Sequence, residues 1–282
     1  MVKQFILAAC GIILTASIFF FGRTVAHKVK SKTPVATQSP KSFDIQGFIE
    51  QEKKQLSSAQ LLDLSKIENS IKRGDISTQQ VQVNTQLANY WKDSLHAYEP
   101  YAWYLSQAAK LDKSEKNLTF AGQLILANLR GEPDDAKLAW EADLAIDLFK
   151  SAIELDPNND DLKVGLASCY VYGKGKVSGP QETMKGITQL LDVVRRDSTN
   201  MKAQLVLGVG GYVSGQYDKA IDRFKKVIRA QPENLEAVAM LADTYAAKGE
   251  NEQAVTFYEL SKKLAHNPEY DKEVDKRIRE LR

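Results

Sequence analysis

Residues 201–234, MKAQLVLGVGGYVSGQYDKAIDRFKKVIRAQPEN, and residues 235–268, LEAVAMLADTYAAKGENEQAVTFYELSKKLAHNP, echo one another at a spacing of 34. Leu207, Gly208, Gly215, Tyr217, Ala220, Phe224 and Pro232 stand at positions 7, 8, 15, 17, 20, 24 and 32 of the first unit. Leu241, Ala242, Tyr245, Gly249, Ala254 and Tyr258 stand at 7, 8, 11, 15, 20 and 24 of the second. Apolar residues three and four apart flank a glycine near position 15, the pattern of two amphipathic helices joined by a tight turn. Small side chains at 8 and 20 let the two helices approach, and large ones at 7, 11 and 24 fill the space between hairpins. Proline at 32 ends the second helix, because it lacks an N–H and its ring clashes with the preceding turn.

This period and signature resemble the tetratricopeptide repeat, a helical-hairpin solenoid unit. The resemblance implies an all-α fold, a right-handed solenoid of antiparallel helix pairs whose first helices line a concave groove. Upstream units are looser. Leu144 to Pro157 matches the second half of the pattern, with its first helix at Leu118 to Leu129 and Ala121-Gly122 at the close-packing place. An insertion from Arg130-Gly131-Glu132-Pro133-Asp134-Asp135 onward stretches that unit to 45 residues, 115–159. The next unit, 160–200, has 41 residues, and its extra seven are expected in a turn from Tyr172 to Pro180. A degenerate pair over about 81–112 carries Leu87-Ala88 and Trp91 in one helix and Ala108-Ala109 in the other. Ahead of it, Leu61, Leu64, Ile67 and Ile71 have helical spacing behind a Ser57–Gln60 capping box, with Gly74 closing the run. A second box, Ser77–Gln80, is expected to start the following helix. Pro268 to Arg282, with Tyr270, Val274, Ile278 and Leu281 on one face, looks like a polar capping helix.

The chain has 38 Lys and Arg against 36 Asp and Glu, a net charge of +2, unevenly spread. Residues 1–41 hold six basic groups and no acid; residues 42–282 hold 32 basic and 36 acidic groups. An acidic body argues against nucleic-acid binding. Phe5 to Phe21, FILAACGIILTASIFFF, is an uncharged run at the short end of what spans a bilayer. Residues 1–26 therefore read as a single N-terminal transmembrane helix, an anchor or signal-anchor. Residues 27–42 read as a flexible basic tether with a span of roughly 20–25 Å. The remaining divisions are an N-terminal helical segment at 43–80, the repeat array at 81–268 and the cap at 269–282. Arg23, Lys28, Lys30 and Lys32 behind the span favour a cytoplasmic body by the positive-inside rule, while a short tail with one lysine is how many exported signal-anchors begin. The Phe20-Phe21-Gly22-Arg23-Thr24-Val25 exit and the helix Gly186-Ile187-Thr188-Gln189-Leu190-Leu191 are similar to membrane-anchored tetratricopeptide-repeat proteins of Bacteroidetes-type bacteria. The localisation expected is a single-pass protein of a bacterial inner membrane with its soluble body in the periplasm, the flanking charges pointing the other way.

No catalytic, cofactor-binding or metal-binding residue is expected. His27, His96 and His266 are scattered, and Cys10 and Cys169 draw no disulfide within the body. Gly208-Val209-Gly210-Gly211 follows no strand, and Gly173-Lys174-Gly175-Lys176 lacks the glycine placement and hydroxyl of a phosphate loop. An enzymatic reading would need Asp243 buried beside another titratable group. The resemblance instead implies a partner-binding groove at unit positions 2, 5, 9, 12 and 13. These positions give Thr119, Gln123 and Leu126; Val164, Ser168, Val171 and Tyr172; Leu205, Val209, Tyr212 and Val213; Ala239, Asp243 and Ala246. The helix at 201–214 is apolar on both faces, which demands cover. Three covers are open: the chain itself (its curvature or the helices at 43–74), a partner's apolar or helical peptide, or a second copy. The function expected is a membrane-tethered scaffold or assembly factor that recruits proteins, similar to the anchored repeat subunits of cytochrome c maturation. The alternatives are a self-associating structural protein or a non-catalytic subunit of an envelope enzyme complex.

Overall fold

The computed structural model describes residues 42–71 and 75–282. The apolar run 5–21, nearly all of the tether and Gly74 lie outside the described residues. Every described element is helical. No described helix is long and apolar enough to cross a membrane.

Two helices, α1 (Ile45–Lys53) and α2 (Ser58–Glu68), precede the array. Five antiparallel pairs follow: α3 (Ile76–Asp93) with α4 (Tyr98–Asp112), α5 (Glu115–Leu129) with α6 (Asp135–Leu155), α7 (Asp160–Ser168) with α9 (Pro180–Arg196), α10 (Met201–Val213) with α11 (Tyr217–Ala230), and α12 (Leu235–Lys248) with α13 (Asn251–Ala265). Between α7 and α9 the chain runs without a break through a π-helical turn, Cys169–Lys174, and a last turn, α8 (Gly175–Ser178). The final helix, α14 (Pro268–Glu280), packs on α13 and buries Val274 and Ile278.

Local chemistry starts these helices. Asn159, Asn200 and Asn234 cap α7, α10 and α12 through side-chain oxygens that accept from the backbone N–H of Asp161, Ala203 and Ala237. Ser57 and Gln60 form the capping box at α2. The box expected at Ser77 is not the start of α3. Asp75 caps that helix, its carboxylate accepting from the Thr78 N–H at 3.3 Å, and Ser77 falls inside the first turn. Likewise α2 ends at Glu68, so Ile71 lies outside the helix and exposed. Gly215 and Gly249 take φ of 72° and 84° in the hairpin turns, a region that a Cβ makes costly.

The rings and small residues of the repeat interlock as their spacing requires. A Cβ on Gly208 would lie 2.5 Å from the Phe224 ring, so position 8 must be small where position 24 is aromatic. Phe149 of α6 plays the same part twice, against Gly122 of its own pair and Gly165 of the next.

The two insertions correct the sequence reading. Residues 172–180 form no open turn: the first helix continues to Ser178, and Gly179 at φ 96° makes the reversal. Val171, Tyr172, Gly173 and Gly175 are buried, and a loop there would strand backbone N–H and C=O groups that a helix pairs internally. In the 45-residue unit only the links 130–134 and 156–159 are non-helical, and the remaining inserted residues lengthen α6 at its start. The two extensions meet. A Cβ on Gly173 would lie 2.6 Å from that of Ala142, and Lys174 pairs with Asp143 at 2.8 Å.

Candidate functional site: a cleft across three first helices

First helices of successive pairs lie side by side, so residues at one register form a row. Gln123, Leu126, Ala127 and Arg130 of the α5 stretch, Asp161, Val164, Gly165 and Ser168 of α7, and Lys202, Leu205 and Val206 of α10 line one cleft of about 440 Å³. Each set is spaced i, i+3, i+4, with i+7 on α5 and α7, which places it on a single helix face. The floor is apolar, and its small members matter: a Cβ on Gly165 would overlap the Phe149 ring behind it.

Charged contacts close both ends. At one end Lys202 reaches Asp161 at 3.1 Å, joining α10 to α7. At the other, the Arg130 guanidinium lies 4.6 Å over the Tyr172 ring and donates to Glu236, the second residue of α12. The Tyr172 hydroxyl donates to the same carboxylate at 2.9 Å. Burial first, and the Glu236 charge second, push the Tyr172 hydroxyl far above the ordinary phenol range, so it stays a donor at any physiological pH. Between these ends the Gln123 amide is exposed and makes no hydrogen bond among the described residues.

Five of the groove residues named from the sequence thus come together: Gln123, Leu126, Val164, Ser168 and Leu205. The Ser168 hydroxyl is spent on its own helix, donating to the Val164 carbonyl at 2.7 Å. Others stand apart. Thr119 donates to Glu115 at 3.0 Å, Tyr172 belongs to the closing cluster, and Ala239 is half-buried on α12. Along α10 the row divides: Leu205 and Val209 are 8% and 5% exposed, Tyr212 is half-buried 6.2 Å from the Tyr217 ring, and Val213 is 47% exposed. Asp243 accepts from the Arg277 guanidinium at 2.8 Å and from the Tyr258 hydroxyl. This ties the cap helix to α12 and places Asp243 in neither helix-lined cleft.

The cover over α10 comes from the chain itself. Leu205 and Val209 belong to a core shared with Val164, Val171, Tyr172 and Leu241. The helices at 43–71 take no part: Ile45, Ile49 and Leu64 pack with Leu87 and Trp91 of α3. Sequence reasoning passed over Ala127, Asp161 and Lys202, although they hold unit positions 13, 2 and 2 and the register rule finds them. Arg130, Gly165 and Val206 lie off that register and carry no such signal. Among the described residues no group of three His, Cys, Asp or Glu is placed to hold a metal ion.

Residues 214–272 match the family model of the tetratricopeptide repeat. The cytochrome c-type biogenesis protein CcmH of Haemophilus influenzae is 26% identical over 124 residues, 40% of this chain and 26% of that protein. A CTR9 homolog of Arabidopsis thaliana is 30% identical over 141 residues, 49% of this chain and 11% of that protein. The chain thus spans about a quarter and about a tenth of the curated relatives it matches. Among solved structures, the tetratricopeptide-repeat protein TTC0263 of Thermus thermophilus superposes with a TM-score of 0.50 at 17% identity, over 73% of this chain and 98% of that one. A MamA structure of Desulfovibrio magneticus, residues 41 to the end, gives 0.45 at 18%, over 69% and 98%. The 34-residue period at 201–268 and the family match at 214–272 overlap, so the tetratricopeptide repeat is shown for that stretch of the chain.

Proposed function

We propose that this chain is a membrane-tethered scaffold or assembly factor that seats a segment of a partner protein in the cleft across α5, α7 and α10. One observation carries the reading: three successive first helices present one register to a shared cleft that is apolar at its floor and ion-paired at its ends. Such a cleft offers area for apolar side chains, each worth roughly 1.5–3 kcal/mol when fully buried. The unbonded Gln123 amide adds a donor and an acceptor for a peptide backbone. The chemistry of this cleft is that of binding. The tether and anchor of the first 41 residues would hold this cleft close to a bilayer, at a bacterial inner membrane with the body in the periplasm. The biogenesis role in the name of the Haemophilus influenzae relative is consistent with an accessory part in envelope assembly.

The test is a photocrosslinking residue at Gln123 in native membranes, compared with one at exposed Arg279 on the cap. A discrete partner trapped at 123 and not at 279 is expected, and Ala127→Arg, which fills the cleft, should abolish it. Equal trapping at both sites, or none at 123, overturns the reading. Trapping of a second copy of the chain would move the function to self-association. Protease accessibility in the same membranes reads the side on which the body lies.

A further inference from the structure

A second cleft, of about 620 Å³, opens between α9 and α11, away from the register of the first helices. Its two walls differ in kind. On α9, Met184, Ile187 and Leu191 follow one another at i, i+3 and i+7, and Met184 and Leu191 are 48% and 39% exposed. On α11, Lys219, Arg223, Lys226 and Arg229 follow at i, i+4, i+7 and i+10. Leu207 and Gly211 of α10 form the floor. Asp222 is the one acid among the lining residues.

Three of the four cations here are held by neutral acceptors. Lys219 donates to the Gln216 amide oxygen at 2.7 Å, Lys226 to the Ser198 carbonyl at 2.7 Å, and Arg223 to the Gln204 amide oxygen. Arg229 has no partner among the described residues. None of the four forms an ion pair there, whereas Lys185 on the facing helix pairs with Glu182 and Asp218 of α11 is taken by Lys248 at 2.7 Å. On a body with 32 basic and 36 acidic groups, four unpaired cations in one row form a local excess of positive charge. Neutral acceptors fix three of the four heads in place, so a carboxylate arriving there meets donors already ordered, and less side-chain entropy is lost on binding.

We propose that this cleft binds an acidic amphipathic helix of a partner protein, with its apolar face on Met184, Ile187 and Leu191 and its carboxylates on Lys219, Arg223, Lys226 and Arg229. The pitch fits. Lys219 to Arg229 spans about 15 Å at 1.5 Å per residue, roughly three turns of helix. An occupant with apolar residues at i, i+3 and i+7 and acids on the adjoining face matches both walls at once. Phosphate backbones gain nothing from the apolar wall, and a bilayer surface is too flat to enter a cleft between two helices. The site is separate from the cleft across α5, α7 and α10, and it stands or falls without it.

Binding of a labelled acidic amphipathic peptide, Glu and Leu at helical spacing over about 14 residues (four turns), to the full-length chain is measured by fluorescence anisotropy. The comparison probes are the same peptide with Lys for Glu, a single-stranded oligonucleotide, and vesicles containing phosphatidylserine. The acidic peptide should bind alone among the four, and more weakly as salt rises. The double variant Lys219→Glu, Arg229→Glu should weaken it by about tenfold or more through lost charge complementarity. Leu191→Gln should weaken it independently of salt, since it removes apolar contact. Lys219, Arg229 and Leu191 are all exposed, so circular dichroism should show unchanged helicity and melting in these variants. Ala127→Arg should leave binding intact, which separates this site from the first cleft. Equal binding of the lysine peptide, preference for oligonucleotide or vesicles, or indifference to the charge reversal each overturns the proposal. A wild-type dimer in sedimentation that the double variant abolishes would assign the cleft to a second copy and overturn it too.

Discussion

The pairs α10/α11 and α12/α13 keep the 34-residue period, while α5/α6 and α7/α9 carry insertions, yet both halves use one packing device. In the regular half Phe224 lies over Gly208. In the irregular half Phe149 lies over Gly122 and Gly165 together. The difference lies in where extra residues go. They extend helices rather than loops, and the two extensions cover one another through Gly173 on Ala142 and Lys174 on Asp143. An insertion in a solenoid is tolerated when it brings its own partner surface, because each repeat packs chiefly on its neighbours.

The largest expected effect breaks the shared device. Phe149→Ala empties a site walled by two successive pairs and should cost about 3–5 kcal/mol in urea unfolding. Phe224→Ala should cost less, because its ring is stacked on a single glycine. Equal losses would mean that the second glycine contact adds nothing and that the two halves pack alike.

Next comes the contact between the extensions. Gly173→Val drives a branched side chain into Ala142 and should cost about 1–3 kcal/mol, typical of overpacking. Gly173→Ala in an Ala142→Gly background should recover most of the loss of Gly173→Ala alone, a coupling that a double-mutant cycle reads directly. Additive effects would sink the claim that the two insertions compensate each other.

That contact also marks the limit of what the sequence discloses. Gly208 was legible because its partner Phe224 lies within one hairpin at fixed spacing, and Gly215 and Gly249 because the hairpin turn falls there and takes a positive φ. Gly173 and Gly175 read as turn residues because glycine signals both reversal and close approach, and only the fold supplies Ala142 and Thr183 as neighbours. The cleft was half legible. Register found Gln123, Leu126, Val164, Ser168 and Leu205, and carried further it reaches Asp161 and Lys202. Arg130 and Glu236, 106 residues apart, obey no period that a local reading can use.

A third test concerns Glu141, which only the extended start of α6 buries. It is 0% exposed; one carboxylate oxygen accepts from the Asn128 amide at 2.8 Å, and the other has no partner among the described residues. Burial, with Glu132 and Glu99 nearby, pushes its carboxyl from 4.5 up to about 8, against the pull of Asn128 and Lys137. The folded state therefore holds a proton that the unfolded chain has lost, and stability is full below about 4.5 and falls as pH rises toward 8. Glu141→Gln keeps the bond to Asn128 and removes the ionisation. It should flatten that slope and raise stability at pH 8 by about 1–2 kcal/mol, the scale of an unmet buried polar group. A slope that persists in the variant would place the titration elsewhere.

The smallest effect concerns the joint between the two halves. Arg130 at the end of α5 and Glu236 at the start of α12 are both partly exposed, and pairs of that kind contribute about 0–1 kcal/mol. The stacking of Arg130 on Tyr172 adds a contribution of similar size. Arg130→Ala should therefore shift the melting temperature only slightly, and 1 M salt should erase the part due to charge, since the Debye length there is about 3 Å. The informative readout is local. If the joint closes the end of the cleft, amide exchange at the end of α5 and the start of α12 should quicken in Arg130→Ala while α13 and α14 stay protected. Uniform exchange across all four helices would mean that the irregular and regular halves are joined by their common core alone, and that the ion pair is an ornament of the surface.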